Sequence, residues 1–329
     1  DIVGTYLKSN NQRTYSMTEA GQSPVEIFSK TEGDKYSLIG EAIYERPLWK
    51  GKFTTGMKHN QATMDNMYDG EAQTKVSMNT AETSFFAEYQ SKVGKLNYTL
   101  GMGALRTFYK QGNTSQEKYF FRPTLNLSYS LGKVFLRYNA SMSGYAPSLS
   151  ALSNVEQSMD AYQVRRGNPN LKSVTYFTNR LSASYRNKWM NVDMSARYSY
   201  DDKPIMEETI YEDGKFVRTY ANQKGLHRLM CQTSIQVRPF KEYLSINMTP
   251  FFNRYISQGN AYLHTHSNWG FRGSIVGMYK HWVFMADMNT SHHDLEVETI
   301  TKGEAIHSMA LGYNKEKWAV QMLVWHPFT

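Results

Sequence analysis

The sequence predicts an all-β protein, a transmembrane antiparallel up-and-down β-barrel, and three observations carry that prediction. Apolar and polar residues alternate over long stretches. Connections alternate between tight turns and longer links. Aromatic residues gather beside the tight turns. An alternation of period two puts successive side chains on opposite faces of a strand, whereas a helix repeats every ~3.6 residues. No apolar run approaches the ~18 residues that a membrane-spanning helix needs, and mean hydropathy is −0.59. A barrel escapes that requirement because only every second residue of a strand must meet lipid.

The strands can be justified in order. The first clear one covers 35–46. In 124–131, Leu125, Leu127, Tyr129 and Leu131 share one face, while Thr124, Asn126, Ser128 and Ser130 share the other. After Gly132 and Lys133 the alternation resumes, with Val134, Leu136, Tyr138, Ala140 and Met142 against Arg137, Asn139, Ser141 and Ser143. Leu181, Ala183 and Tyr185 oppose Arg180, Ser182, Ser184 and Arg186. Met190, Val192, Met194, Ala196 and Tyr198 oppose Asn191, Asp193, Ser195, Arg197 and Ser199. The pattern returns at Cys231, Thr233, Ile235 and Val237, and at Leu244, Ile246 and Met248. Counted this way, about fourteen strands lie between 34 and 327, many far longer than the ~5–6 residues usual in soluble sheets.

Tight turns are expected near 47–50, 93–95, 132–133, 187–188, 240–243, 280–281 and 315–317. Longer links are expected at 61–72, 110–117, 144–172, 201–222, 257–262 and 294–302. Short turns on one side and long loops on the other are the topology of an outer-membrane barrel. Within the longest link, 148–159 suits one or two helical turns, with Pro147 at the start and Leu149, Leu152 and Val155 on one side. Asp213-Gly214-Lys215 reads as a hairpin turn joining 205–212 to 216–220, a β-extension of two neighbouring wall strands.

Composition agrees. Of 329 residues 40% are hydrophobic and 20% charged, which argues against a disordered chain, and aromatics reach 14%. Trp49, Trp189, Trp282 and Trp318, with Tyr243 and Tyr279, sit at or beside tight turns, as a headgroup-level girdle requires. The net charge is +8, but the basic residues are scattered and no recognition-helix or zinc-finger pattern appears, so no nucleic-acid partner is expected. The single cysteine, Cys231, forbids an internal disulfide and falls on an apolar strand face as an inert small residue. The strand at 35–46 runs into a tight turn and the last, at 317–328, leaves one. A further strand is therefore expected within 2–17 and another beyond Thr329, making 1–329 a partial barrel domain.

Residues 121–185 carry a family resemblance. A strand ending in RPTLNLSYSL is followed by VFLRYNASMSGYAPSLSALSN and QVRRGNPNLKSVTYFTNRLSASY. Pro147-Ser148-Leu149 after a strand, then Gly167-Asn168-Pro169-Asn170-Leu171 before the next, resembles the barrel of TonB-dependent receptors, in particular outer-membrane proteins of Bacteroidetes. Residues 36–59 and His326-Pro327-Phe328-Thr329 are similar to that family as well. The resemblance implies a barrel of about 22 strands with a plugged lumen. It also implies location in the bacterial outer membrane and energised uptake of a scarce nutrient: an iron chelate, cobalamin, a glycan or a peptide. The TonB energy complex would be engaged only through a plug and Ton box, neither of which this sequence contains. A plugless passive pore or surface adhesin is the alternative.

On physical grounds Gly167 permits a positive φ, Asn168 is held extended by the proline after it, and Pro169 fixes its own φ. That makes Pro147, Gly167, Asn168, Pro169, Asn170 and Leu171 a structural motif. Ligand contact is assigned to Tyr162, Arg165 and Arg166 at the mouth and to Arg137, Arg180 and Arg197 on the polar face, where guanidinium groups suit anionic ligands or plug carboxylates. Lipopolysaccharide phosphates and outer-membrane lipid are further partners for the positive charge. No Gly-x-Ser-x-Gly elbow or His-Glu-x-x-His is present, so no enzyme and no catalytic residue is expected. His264, His266, His292 and His293 lie near strand ends. Pairing about 280–281 sets His292 opposite Trp269 or Gly270, away from His266, so neither metal nor cofactor is expected.

Overall fold

The computed structural model describes residues 1–18, 25–69, 74–112, 114–296 and 298–327. Its wall begins with β1 (Ile2–Met17), β2 (Val25–Leu48), β3 (Gly51–Asp69), β4 (Thr74–Val93) and β5 (Leu96–Gln111). Then come β6 (Thr114–Phe121), β7 (Thr124–Leu131) and β8 (Val134–Tyr145), a single helical turn α1 (Leu149–Leu152), and the short β9 (Gln157–Ser158) and β10 (Gln163–Arg165). The middle holds β11 (Val174–Arg186), β12 (Met190–Asp202), β13 (Ile205–Glu212), β14 (Lys215–Asn222) and β15 (Gly225–Val237). Last come β16 (Leu244–Gln258), β17 (Leu263–Tyr279), β18 (Trp282–Asn289), β19 (His293–Glu296), β20 (Thr299–Lys302), β21 (Ile306–Lys315) and β22 (Trp318–Trp325).

Sixteen of these strands form one sheet, in the order β1-β2-β3-β4-β5-β7-β8-β11-β12-β15-β16-β17-β18-β21-β22, with β6 on β5. Every neighbour pair with a register is antiparallel. β6 and β7 are two halves of one wall strand, because both pair β5 and only Arg122 and Pro123 lie between them. Pro123 has no N–H to give the ladder, which explains the break. The expected strand within 2–17 is β1. The sheet path ends at β1 on one side and β22 on the other, and among the described residues neither pairs a second strand.

All the expected tight turns separate paired strands. Several use left-handed backbone, with Gly94 at φ 58°, Gly132 at φ 59° and Lys280 at φ 53°. Three of the expected long links, 61–72, 110–117 and 294–302, are instead mostly strand, the last as the hairpin β19–β20, besides the hairpin already expected within 201–222. β3 continues to Asp69 and β5 to Gln111, because polar residues such as Asn60, Thr63 and Asn79 pair across the ladder beyond any apolar band. Residues 70–73, Asn113, Phe328 and Thr329 lie outside the described residues.

The hairpin at Asp213-Gly214 is present, but not as an extension of β12 and β15. It leaves the wall at Lys203, whose φ is 54°, and the buried Pro204, then joins β10 in parallel to make a separate sheet, β13-β14-β10-β9. With α1, this sheet forms a cap. Its core is Leu152, Leu171, Ala151 and the wall residue Tyr109, flanked by Ile205 and Tyr220. The Ser148 hydroxyl accepts the Ala151 N–H at 3.3 Å and so caps α1.

Candidate functional site

Alternation sorts the wall into two faces. Arg137, Arg180, Ser182, Asp193, Ser195, Arg197, Gln232, Phe251, Asn253 and Arg272 line cavities on the polar face. Leu181, Ala183, Met194, Ala196, Cys231 and Phe252 line a groove on the apolar one. Cys231 stands opposite Ala196 and Phe252, the small apolar neighbour that its position in the sequence suggests. Trp49, Trp189, Trp282, Trp318, Tyr243 and Tyr279 are all exposed at the tight-turn end of the wall.

The cap reaches across the mouth of the wall. It springs from the links after β8 and after β12, yet β9 lies against β2 and an Arg13 Nη1–H in β1 donates to Met159 Sδ at 3.4 Å. On the way, Gln116 of β6 donates to the Pro169 carbonyl at 3.2 Å. Beyond it, the hairpin residues Met206, Glu208 and Tyr220 share a cavity with Glu298 and Thr301 of the β19–β20 hairpin. A wall whose β1–β2 end and β19–β20 end both meet one small cap must be curved around it.

The motif residues build this cap. The Gly167 N–H donates to the Ser153 carbonyl at 2.7 Å and the Asn168 N–H to the Ala151 carbonyl at 2.6 Å. Gly167 is not among the glycines at positive φ; a Cβ there would fall 2.4 Å from Ala151 O and 2.5 Å from Ser153 O, so it is close approach rather than a left-handed backbone that requires glycine. The Asn168 side chain donates to the Tyr220 carbonyl at 3.0 Å and accepts the Asn170 N–H at 2.9 Å, and Leu171 is fully buried. The mouth residues assigned to ligand contact are committed to the cap as well. Arg166 pairs with Glu212 at 2.5 Å, with Glu156 at 3.9 Å, and Arg165 donates to the Tyr220 hydroxyl. Tyr162 accepts the Phe216 N–H through its carbonyl at 2.8 Å, leaving its ring exposed.

The wall arginines are different. Arg180 lies directly opposite Arg197, and with Arg272, Asn253 and Gln232 they line one cavity of about 210 Å³. Among the described residues none of the three arginines makes an ion pair. Arg137 lines a second cavity of about 720 Å³ nearer the tight turns, with Lys133, Arg186 and Asp193. Sequence reasoning missed Arg272 because the glycines around it interrupt the alternation. The guanidinium of Arg272 lies 5.2 Å from the centre of the Phe251 ring, which holds it in the cavity.

The histidines are also placed. The expected register holds as far as Asn289, opposite Arg272, but His292 lies beyond the ladder, its ring 6.4 Å from that of Phe251 and its carbonyl accepting the Gly303 N–H. The β19–β20 hairpin nonetheless folds back, bringing the His293 ring to 5.9 Å from that of His266. Among the described residues no three His, Cys, Asp or Glu side chains converge as metal ligands.

Residues 2–323 match the family described as outer membrane protein beta-barrel family. No curated protein matches the chain. Among solved structures, it is similar to the copper transporter OprC, with a TM-score of 0.74 at 9% identity, covering 99% of this chain and 56% of that one. The ferric enterobactin receptor PfeA of Pseudomonas aeruginosa follows at 0.67 and 13%, covering 99% and 54%. The ferric citrate transporter FecA gives 0.66 and 12%, again covering 99% and 54%. The chain thus spans about half the length of these receptors and shares their fold. They are transporters or receptors rather than enzymes, and nothing in the matches carries the Bacteroidetes attribution.

Proposed function

Because this chain belongs to the outer membrane protein β-barrel family, we propose that it is the wall and mouth of a TonB-dependent-type receptor importing a scarce anionic nutrient. In this reading 1–329 is part of one barrel domain, and the free edges of β1 and β22 pair with further strands of that barrel. Energy from the TonB complex is delivered through a plug seated against the polar face. The single observation that carries the reading is the trio Arg180, Arg197 and Arg272, which line one cavity and make no ion pair among the described residues. Two guanidinium groups directly opposite one another repel, and an anionic group between them relieves the repulsion. The cap above them favours gated import over a passive pore or an adhesin.

The nutrient is an iron chelate, cobalamin, a glycan or a peptide, and an anionic chelate suits the arginines best. The test is growth of a deletion strain on each of these as the limiting nutrient. The reading expects a defect on one of them, reproduced by inactivating the TonB complex and by the double variant Arg180→Gln/Arg197→Gln. Normal growth on all of them, together with steady ion conductance of the purified protein in planar bilayers, would overturn it in favour of a passive pore.

A further inference from the structure

The β19–β20 hairpin lies on the polar face of the wall. Phe251, Asn253, Tyr255 and Ser257 of β16 share that face with their register partners Gly270, Asn268, His266 and His264 of β17. At the foot of the hairpin, the Thr290 hydroxyl accepts the Phe271 N–H at 2.8 Å and lies 2.6 Å from where a Cβ on Gly270 would stand. Four residues along β17, the His293 ring lies 5.9 Å from that of His266, tilted by 40°. Asn268 sits between these two contacts and is only 9% exposed. Farther along, Asp294 accepts the Tyr255 hydroxyl at 2.8 Å, Leu295 is buried, and His264 meets Glu298 at 3.5 Å.

Polar atoms are left over beneath the hairpin. His266 Nε2, His293 Nε2 and both amide atoms of Asn268 are buried and make no hydrogen bond among the described residues. Folded proteins rarely leave even one such atom unpaired, so four on three neighbouring side chains call for a bound group. The atom types say which group. An imidazole nitrogen that is not protonated offers a lone pair, and two such lone pairs cannot satisfy each other. One cation can accept both, and first-row divalent metals are the cations that imidazole suits. A metal lies ~2.0–2.1 Å from each ligating nitrogen, so two rings 5.9 Å apart leave room for one ion between them. Asn268 Oδ1 is a third donor on the same face, and water completes a tetrahedron. Among the described residues no third His, Cys, Asp or Glu joins the pair.

We propose that His266 and His293, with Asn268 Oδ1, bind one divalent first-row metal ion that pins the β19–β20 hairpin to the wall. Imidazole ligands select an ion such as Zn²⁺ over Mg²⁺ or Ca²⁺, which prefer oxygen. The ion is a staple between hairpin and wall rather than cargo, and the site is independent of any transported nutrient.

Calorimetric titration of Zn²⁺ into the EDTA-treated intact protein in detergent tests it. Hydrogen exchange across β19 and β20 is the second readout, and heat-modifiable gel mobility checks the fold. One Zn²⁺ per chain is expected, and its binding should slow exchange in the hairpin. His266→Ala and His293→Ala should each weaken binding by about tenfold or more and abolish the slowing. His293 lies on the hairpin, so His293→Ala carries this arm if His266→Ala does not fold. Asn268→Asp, which replaces the amide oxygen with a carboxylate, should bind more tightly than wild type. His264→Ala and His292→Ala should bind as wild type does. Absence of saturable Zn²⁺ binding, or binding that leaves exchange in the hairpin unchanged, would overturn the proposal. So would equal weakening in His264→Ala or His292→Ala, because the ion would then rest on scattered histidines.

Discussion

Arg180 and Arg197 stand directly opposite one another on β11 and β12, both on the polar face and both lining one cavity with Arg272. Like charges at a cross-strand pair cost roughly 0.2–1 kcal/mol. Arg180→Gln is therefore expected to raise the stability of the isolated chain by that amount, with the gain shrinking as salt screens the pair. The same variant should weaken binding of ferric citrate, used as an anionic probe. Thermal unfolding at two salt concentrations and a binding titration check both arms, and a loss of stability would refute the unrelieved repulsion.

Gly167 is held between the Ala151 and Ser153 carbonyls. Gly167→Ala should loosen the cap by about 1–3 kcal/mol through overpacking, while leaving the wall intact. Hydrogen exchange and limited proteolysis should quicken across 146–173 and 204–223. Unchanged protection there would show that the motif is not what secures the cap.

The contact between Arg13 and Met159 makes the crossing of the mouth measurable. In a Cys231→Ala background, Arg13→Cys with Met159→Cys should be joined by a short cleavable bismaleimide within one chain. Uptake should fall when the link forms and recover when it is cleaved. Absence of any link would mean that the cap does not reach β1.

Asp201 is 8% exposed and accepts a hydrogen bond from Arg228 at 2.6 Å. Arg228→Leu leaves that carboxylate without its partner, at an expected cost of about 1–3 kcal/mol. Arg228→Leu with Asp201→Asn should recover part of the loss. Denaturant unfolding of the single and double variants reads the difference.

Where the sequence was informative, the reason is local. Lipid contact on one face and water on the other impose alternation on each strand separately, so the residues from Leu125 to Leu131 or from Met190 to Tyr198 could be assigned without knowing their neighbours. Turn positions follow for the same reason, because Gly132 or Lys280 must adopt left-handed backbone wherever a two-residue turn joins such strands. Pro169 fixes its own φ locally, but the reason for Gly167 was not legible, because the Ala151 and Ser153 carbonyls that leave no room for a Cβ come from another part of the chain. The bonds of Arg165 and Arg166 within the cap were not legible, because their partners, Tyr220 and Glu212, lie 55 and 46 residues away.

Alternation and turn spacing thus determined the fold class, the strand succession and the two faces, and the aromatics beside the turns marked the tight-turn end of the wall. Tertiary structure decided everything that depends on distance between strands: the departure of the β13–β14 hairpin from the wall, its reach to β1 and β2, and the meeting of His266 with His293. It also decided which arginines make no ion pair among the described residues, Arg180, Arg197 and Arg272 on the wall, and which are bonded within the cap. A strand's pattern states which face a side chain takes. Only the register and the curvature of the whole sheet state what that face meets.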